Sequence, residues 1–388
     1  MIAIPSPSFE EETVCSYLCS WLETKGIGHQ RKGNNIIAEH MTDPSRPTLM
    51  LCAHIDTVSP SPEYSFDPYT PDYEKAAEAV SDIIGRQTGA SEIVAGLGSN
   101  DDGASVVSMI AAYRYFQHLS GDTGGVMDNP SQASLGPSPC GQGGSTVHHP
   151  TGISGKGNRP NLILVLTCEE ERSGKNGMTG LWPELESKVD LAIIGEPTGM
   201  KAATSERGLL VIDATAHGTS GHAARNEGKN ALYIALEDIN RLREHTFSRI
   251  SPRMGKVNLN VTQISAGTAH NVIPDRCDFV IDIRPTEQYT NEDILKELQD
   301  ICKSELRPRN LANRSSATFE DSPLQKAAEA LDIETFSSPT TSDWMRISCD
   351  AIKIGPGESA RSHRKDEYVL VEEIRNGIET YIEFINLL

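Results

Sequence analysis

Three consecutive carboxylates, Glu169, Glu170 and Glu171, follow almost directly on the apolar run Leu162-Ile-Leu-Val-Leu166. A run this short reads as a buried strand, although periodicity alone leaves a helix open. Carboxylates at the end of a buried strand are costly unless something positive meets them. A divalent metal would relieve their repulsion. A neighbouring carboxylate could then act as general base toward a water that the metal activates. Taken alone the triplet also describes a solvated acidic loop, so the rest of the chain has to decide.

The same arrangement recurs. Thr48-Leu-Met-Leu-Cys-Ala53 reads as a strand and runs into His54-Ile-Asp56. Residues two apart in an extended chain point to one side, so His54 could bind a metal while Asp56 takes its other ring nitrogen and fixes the tautomer. Asp190-Leu-Ala-Ile-Ile-Gly195 ends in Glu196, and Ala351-Ile-Lys-Ile354 leads through a Gly-rich loop to His363. Gly96-Leu-Gly-Ser-Asn-Asp101-Asp102-Gly103 opens into a helical pattern. Its acidic pair therefore sits at a helix N-terminus, where carboxylates are favoured, either as a cap or as a bridge between two metals. Alone, His363 also reads as surface decoration. In open α/β sheets the site lies beyond the carboxyl ends of the strands. His54, Asp101, Glu171, Glu196 and His363 are then candidate ligands, a set that suits zinc, with cobalt or manganese possible. One bridging carboxylate plus one His and one acid per metal makes a two-metal site, with Glu170 left as an unliganded base.

These residues need a sheet, and the remaining chain is consistent with one. At 388 residues, about two domains are expected. Thirty-five Lys and Arg against 54 Asp and Glu give a net charge of −19, which argues against nucleic acid or an anionic membrane as partner. No apolar stretch is long enough for a transmembrane helix and no secretory signal is visible, so a cytoplasmic protein is expected. The eight cysteines are scattered and read as free thiols. Ser8-Phe-Glu-Glu11 reads as a capping box before a helix carrying Val14, Leu18 and Leu22 and stopping near Gly26. Residues 59–95 show weak periodicity. Residues 119–160, rich in Gly and Ser, read as a flexible insertion, with His148 and His149 as a surface pair.

From about Gly208 the texture changes. A strand over 209–216, a helix over 230–242, strands over 257–264 and 277–283 and a helix over 292–306 predict an α+β sandwich small enough to be an inserted domain. Its edge strands need a covering partner, which makes a dimer plausible. The chain then returns to α/β texture with helices over 323–331 and 371–387.

At this point the sequence resembles the dizinc amidohydrolases that include acetylornithine deacetylase and succinyl-diaminopimelate desuccinylase. The matching stretches are Leu51-Cys-Ala-His54-Ile-Asp56-Thr-Val, Gly96 through Gly103, Thr167-Cys-Glu-Glu170-Glu171, Gly195-Glu196-Pro-Thr, Gly218-Thr-Ser-Gly-His222, Asn271-Val-Ile-Pro and Gly355-Pro-Gly through His363. They follow the family order over nearly the whole chain. The resemblance implies a zinc-peptidase-like three-layer α/β/α catalytic domain, residues 1–206 and 313–388, with an inserted α+β sandwich lid and dimerisation domain, residues 207–312. It implies two zinc ions, one on His54 and Glu196, the other on Glu171 and His363, with Asp101 bridging. Asp56 would orient His54, and Glu170 would take a proton from water and pass it to the leaving amine. His222 would reach the partner subunit's site and stabilise the oxyanion. Asn271 and Arg284 would lie near substrate, with Arg284 pairing to a carboxylate. The motifs look most like a bacterial acetylornithine or N-acylcitrulline deacetylase branch, which implies deacylation of N-acetyl- or N-succinyl-ornithine or -citrulline in arginine biosynthesis by a homodimer. Family members usually carry an earlier helix, so a shortened start is expected, and the 119–160 insertion is atypical. A di- or tripeptidase or aminoacylase of the same fold would use identical chemistry. A non-catalytic binding protein would lack a ligand or base, and none is missing. No Gly-x-Ser-x-Gly elbow points to a serine hydrolase, and Cys168 beside three acids has its thiolate disfavoured.

Overall fold

The structure, a computed structural model, describes residues 1–121, 159–225 and 227–388. In chain order the first elements are α1 (Glu12–Thr24), β1 (Gln30–Lys32), β2 (Asn35–His40), β3 (Thr48–His54), α2 (Tyr73–Ile84), β4 (Ile93–Ala95) and α3 (Gly103–Gly121). Beyond the gap come β5 (Asn161–Thr167), α4 (Met178–Leu185), β6 (Leu191–Ile194) and β7 (Ala202–Glu206). The next stretch holds β8 (Leu210–His217), β9 (Gly221–His222), α5 (Ala231–Glu244), β10 (Asn258–Ala266), β11 (Val272–Ile273), β12 (Arg276–Arg284), α6 (Asn291–Ile301) and β13 (Glu305–Pro308). The chain closes with β14 (Ser316–Ala317), α7 (Pro323–Ala330), β15 (Thr335–Ser338), β16 (Asp350–Lys353), β17 (Tyr368–Leu370) and α8 (Val371–Asn386).

One sheet runs β1-β2-β5-β3-β6-β16-β7-β14, with β15 added on β7. Its centre is parallel: β3 pairs with β5 from Thr48–Asn161 to His54–Thr167, β6 lies along its other side, and β16 runs parallel to β6. The strands are apolar throughout because both faces are covered. Leu49, Leu51 and Ala53 turn to one cluster with Leu18 of α1, Met109 and Tyr113 of α3 and Phe384 of α8. Met50 and Cys52 turn to the other, with Leu181 and Trp182 of α4 and Trp344. That alternation makes a three-layer α/β/α unit, and each buried Leu or Ile contributes about 1.5–3 kcal/mol. Between β16 and β7, Lys353, 1% exposed, is paired with Glu206 at 2.9 Å.

A second sheet, β10-β12-β8-β13, is antiparallel. One face packs Leu210, Ile212, Phe279 and Ile281 against Ala231, Ala235 and Leu242 of α5 and Ile294 and Leu298 of α6. This α+β sandwich is the unit expected as an inserted lid and dimerisation domain, called the lid below. Arg207 ties it down by donating to the carbonyls of Lys256 at 2.9 Å and Arg284 at 3.2 Å.

Several expectations need correction. The capping box does not form: α1 starts at Glu12, and its N-cap, Glu11, makes no side-chain cap. The 59–95 stretch contains α2, capped by Asp72 and stopped by Gly85 in the left-handed conformation; its apolar side is only Ala76, Ala77 and Val80, too small to stand out. The sixth helix ends at Ile301, not at 306, because the chain extends to add β13 to the lid sheet. The third helix runs to Gly121, past the expected start of the insertion. The rest of that segment, with His148 and His149, lies outside the described residues. The described cysteines are all free. No described helix is long and apolar enough to cross a membrane.

Candidate metal centre

Parallel register fixes the site. The aligned ends of β3, β5, β6 and β16 release His54, the Glu169–Glu171 turn, Glu196 and the Gly355–His363 loop on one edge. The loops lie close together: a Cβ at Gly355 would stand 2.6 Å from the Glu196 carbonyl, so only glycine fits there.

His54 and Asp101 are buried, at 3% and 8% exposure, and His54 Nε2 lies 3.1 Å from Asp101 Oδ1. His363 Nε2 is 2.9 Å from Glu171 Oε2 and 3.7 Å from Asp101 Oδ2. Two groups of potential ligand atoms result, His54–Asp101–Glu196 and Asp101–Glu171–His363, each with its atoms within 4.8 Å of one another. Asp101 belongs to both. The donor set, imidazole nitrogen with carboxylate oxygen, fits a pair of divalent cations. His363 is exposed, so the site opens on that side.

The electrostatics point the same way. Burial pushes Glu170 and Glu196 well above the usual carboxylate range, helped by their acidic neighbours, and raises Glu171 too. Burial alone would lower His54, but Asp101 and Asp56 raise it well above its ordinary value. His363 is raised to about 9 by its bond to Glu171. Four carboxylates thus share a confined space with two imidazoles, a charge balance that a cation pair corrects.

The three glutamates have separate fates. Glu169, in the left-handed region at φ 60°, turns inward, where Asn176 donates to it from its backbone at 3.0 Å and its side chain at 2.6 Å. Glu171 meets His363. Glu170 belongs to neither ligand group. Asp56 does more than its spacing suggested. His54 Nδ1 sits 3.0 Å from the Asp56 carbonyl and 3.4 Å from its carboxylate, which leaves Nε2 free for a metal. The same carboxylate accepts the N–H groups of Glu170 at 3.0 Å and Glu171 at 3.1 Å.

Sequence reasoning missed three further positioning groups. Glu367, raised to about 7 by burial, accepts N–H groups from Gly98, Asn100 and Asp101 at 2.9–3.1 Å. The Asn100 side chain exchanges hydrogen bonds with the backbone of Glu358. Asp343, raised to about 6 by burial, accepts from Thr167 Oγ1 at 2.7 Å at the end of β5. The Cys168 thiol is pushed up by burial, so it is no nucleophile.

The lid residues lie apart from this cluster. His222 and Asn271 are exposed where the distant strands β9 and β11 pair, and His222 Nδ1 accepts the Ala224 N–H at 3.2 Å. Arg284 is engaged by Asp282 of its own strand at 2.9 Å. Among the described residues, no hydrogen bond or ion pair joins these three side chains to the strand-end carboxylates.

Residues 204–310, nearly the whole lid, match the family described as a peptidase dimerisation domain. The chain is 29% identical over 240 residues to an acetylornithine deacetylase of Myxococcus xanthus, covering 55% of this chain and 61% of that protein. It is 27% identical over 247 residues to a succinyl-diaminopimelate desuccinylase of Wolbachia, covering 58% and 61%. It thus spans about 61% of the length of these relatives. In fold it is similar to an M20 family metallo-carboxypeptidase of Sulfolobus solfataricus, with a TM-score of 0.68 and 14% identity over 100% of this chain and 97% of the other. Residues 204–310 thus carry a peptidase dimerisation domain, and the chain as a whole shares the fold of the M20 metallo-carboxypeptidase.

Proposed function

We propose that the protein is a two-metal amidohydrolase that deacylates an N-acyl amino acid, an N-acetyl- or N-succinyl-ornithine or -citrulline of arginine biosynthesis. One observation carries the reading: two ligand groups share Asp101, and a third glutamate, Glu170, stands beside them uncommitted. His54, Asp101 and Glu196 would hold one ion and Asp101, Glu171 and His363 the other, zinc by preference, with cobalt or manganese as substitutes. When bound, the ions would activate a water and polarise the amide carbonyl. Glu170, its proton affinity raised by burial, would serve as the base toward the attacking water and then as the acid toward the departing amine. Asp56 holds His54 in the tautomer that leaves Nε2 free. His222 donates to the developing oxyanion, and Asn271 and Arg284 read the remainder of the substrate.

Dimerisation through the lid supports the role given to His222. The edge strand β10 is exposed along most of its length, and Tyr233 and Leu236 of α5 are exposed at 64% and 43%. A second copy would cover both, and an exposed His222 would then face another subunit.

The similarity to the Myxococcus deacetylase favours the deacylase reading. The full-length likeness to the Sulfolobus carboxypeptidase favours a second, cleavage of short peptides by the same chemistry. The deciding experiment strips and restores metal, then follows turnover of N-acetylornithine, N-acetylcitrulline, their succinyl counterparts and a dipeptide panel. Metal-dependent release of acetate or succinate, with dipeptides untouched, supports the deacylase. Dipeptide cleavage alone replaces it with the peptidase.

A further inference from the structure

Ser8-Phe-Glu-Glu11 has the pattern of a helix start, yet the fold spends it elsewhere. The Ser8 hydroxyl donates to Asp56 Oδ2 at 2.7 Å, across 48 positions of sequence. That oxygen also takes the Glu171 N–H at 3.1 Å, while Oδ1 takes the Glu170 N–H at 3.0 Å and lies 3.4 Å from His54 Nδ1. Ser8 is itself clasped to the strand end: its N–H donates to the Thr57 carbonyl at 3.2 Å, and the Thr57 N–H donates to the Ser6 carbonyl at 2.9 Å. Three residues later Glu11, 1% exposed, accepts the N–H of Glu169 at 3.1 Å and of Phe9 at 2.8 Å. Between the two inward side chains Phe9 adopts φ 78°, a conformation a bulky residue occupies only when its surroundings impose it. One short strap therefore reaches both sides of the Glu169–Glu171 turn.

We propose that Ser8 is a positioning residue for the metal centre: its hydroxyl fixes the Asp56 carboxylate in the one orientation that serves both the His54 imidazole and the Glu170–Glu171 turn. Asp56 is 1% exposed, so no bulk water replaces a lost donor. Without the hydroxyl, Oδ2 keeps a single partner, the Glu171 N–H, and the carboxylate is held less firmly against rotation. Rotation lengthens the bond to either the imidazole or the turn, and each carries a ligand to a different ion. Groups that orient metal ligands typically carry 10–100-fold in metal affinity. Acting one hydrogen bond further out, Ser8 belongs at the lower end, about tenfold.

This inference rests on the metal-site reading above, and its test needs no substrate. Metal-free wild-type, Ser8→Ala and Ser8→Thr chains are titrated with Co2+, following heat and the visible absorption of the bound ion. The expected result is two Co2+ per wild-type chain, about tenfold weaker binding with an altered visible band in Ser8→Ala, and wild-type affinity in Ser8→Thr, which keeps the hydroxyl. An unchanged affinity and spectrum in Ser8→Ala would overturn the proposal. So would a loss of binding that Ser8→Thr fails to restore, because the side chain would then matter only to folding. A wild-type chain that takes up no Co2+ overturns the metal-site reading and this proposal with it, a result distinct from the other two.

Discussion

His54 and Asp101 are buried and meet at 3.1 Å, whereas His222 and Asn271 stand in solvent where β9 and β11 pair. The first pair joins the end of a parallel strand, β3, to the turn that opens α3. The second sits on two short paired strands at the surface of the inserted domain. A strand end inside one subunit can hold ligands in place without help. The exposed β9–β11 pair needs something else, a substrate or a second chain, before its side chains have a target. The account therefore assigns the strand ends to metal and proton chemistry and the lid to a step completed on assembly.

The largest effect is expected at the strand ends. Glu170→Gln keeps the shape of the side chain and touches neither ligand group. It should bind metal normally and lose about 10²–10⁴-fold in kcat, checked by metal analysis alongside steady-state kinetics. A variant that loses metal as well would make Glu170 a ligand rather than a base. Next comes the lid. His222→Ala should cost about 10²–10³-fold in kcat with metal content unchanged. Mixing Glu170→Gln and His222→Ala subunits should then regain part of the wild-type rate if His222 acts across the dimer. Mixtures that stay inactive would return His222 to its own subunit or to a structural role.

The smallest effect is on stability. In the metal-free protein, burial raises Asp102 to about 8 and Glu367 to about 7, both above their unfolded values near 4. Acids raised by folding cost stability as pH climbs from the unfolded toward the folded value. His54 and His363 are also raised, so the stability they contribute below about 6.5 is lost as pH rises through their folded values. The two trends add. The metal-free chain should melt several degrees higher at pH 5.5 than at pH 8, and restoring metal should flatten or reverse the difference, as thermal scans would register. Asp56 and Asp101 are lowered, and their opposite trend falls below this window.

The same contrast explains what the sequence made legible. His54, Glu171 and Glu196 could be singled out because each follows an apolar run, and a run of alternating faces in a parallel sheet ends at a predictable edge. Asp101 stood out because it follows a glycine turn into a helix. Glu367 and Asp343 did not, because their work is to accept N–H or O–H groups from segments 267 and 176 residues away, which leaves no local pattern. Ser8 and Glu11 carried a pattern, but it was that of a helix cap, and the backbone spends both groups on the distant turn instead. Short elements such as β1, β7 and β14 escaped for a related reason: too few apolar residues mark them.

The shared carboxylate is the most direct point of attack. Calorimetric titration of metal-free wild-type and Asp101→Ala protein with zinc reads the number of ions per chain. The account predicts two for the wild type and a severe loss at both sites in Asp101→Ala, because one side chain serves both groups. Two tightly bound ions remaining in Asp101→Ala would contradict it.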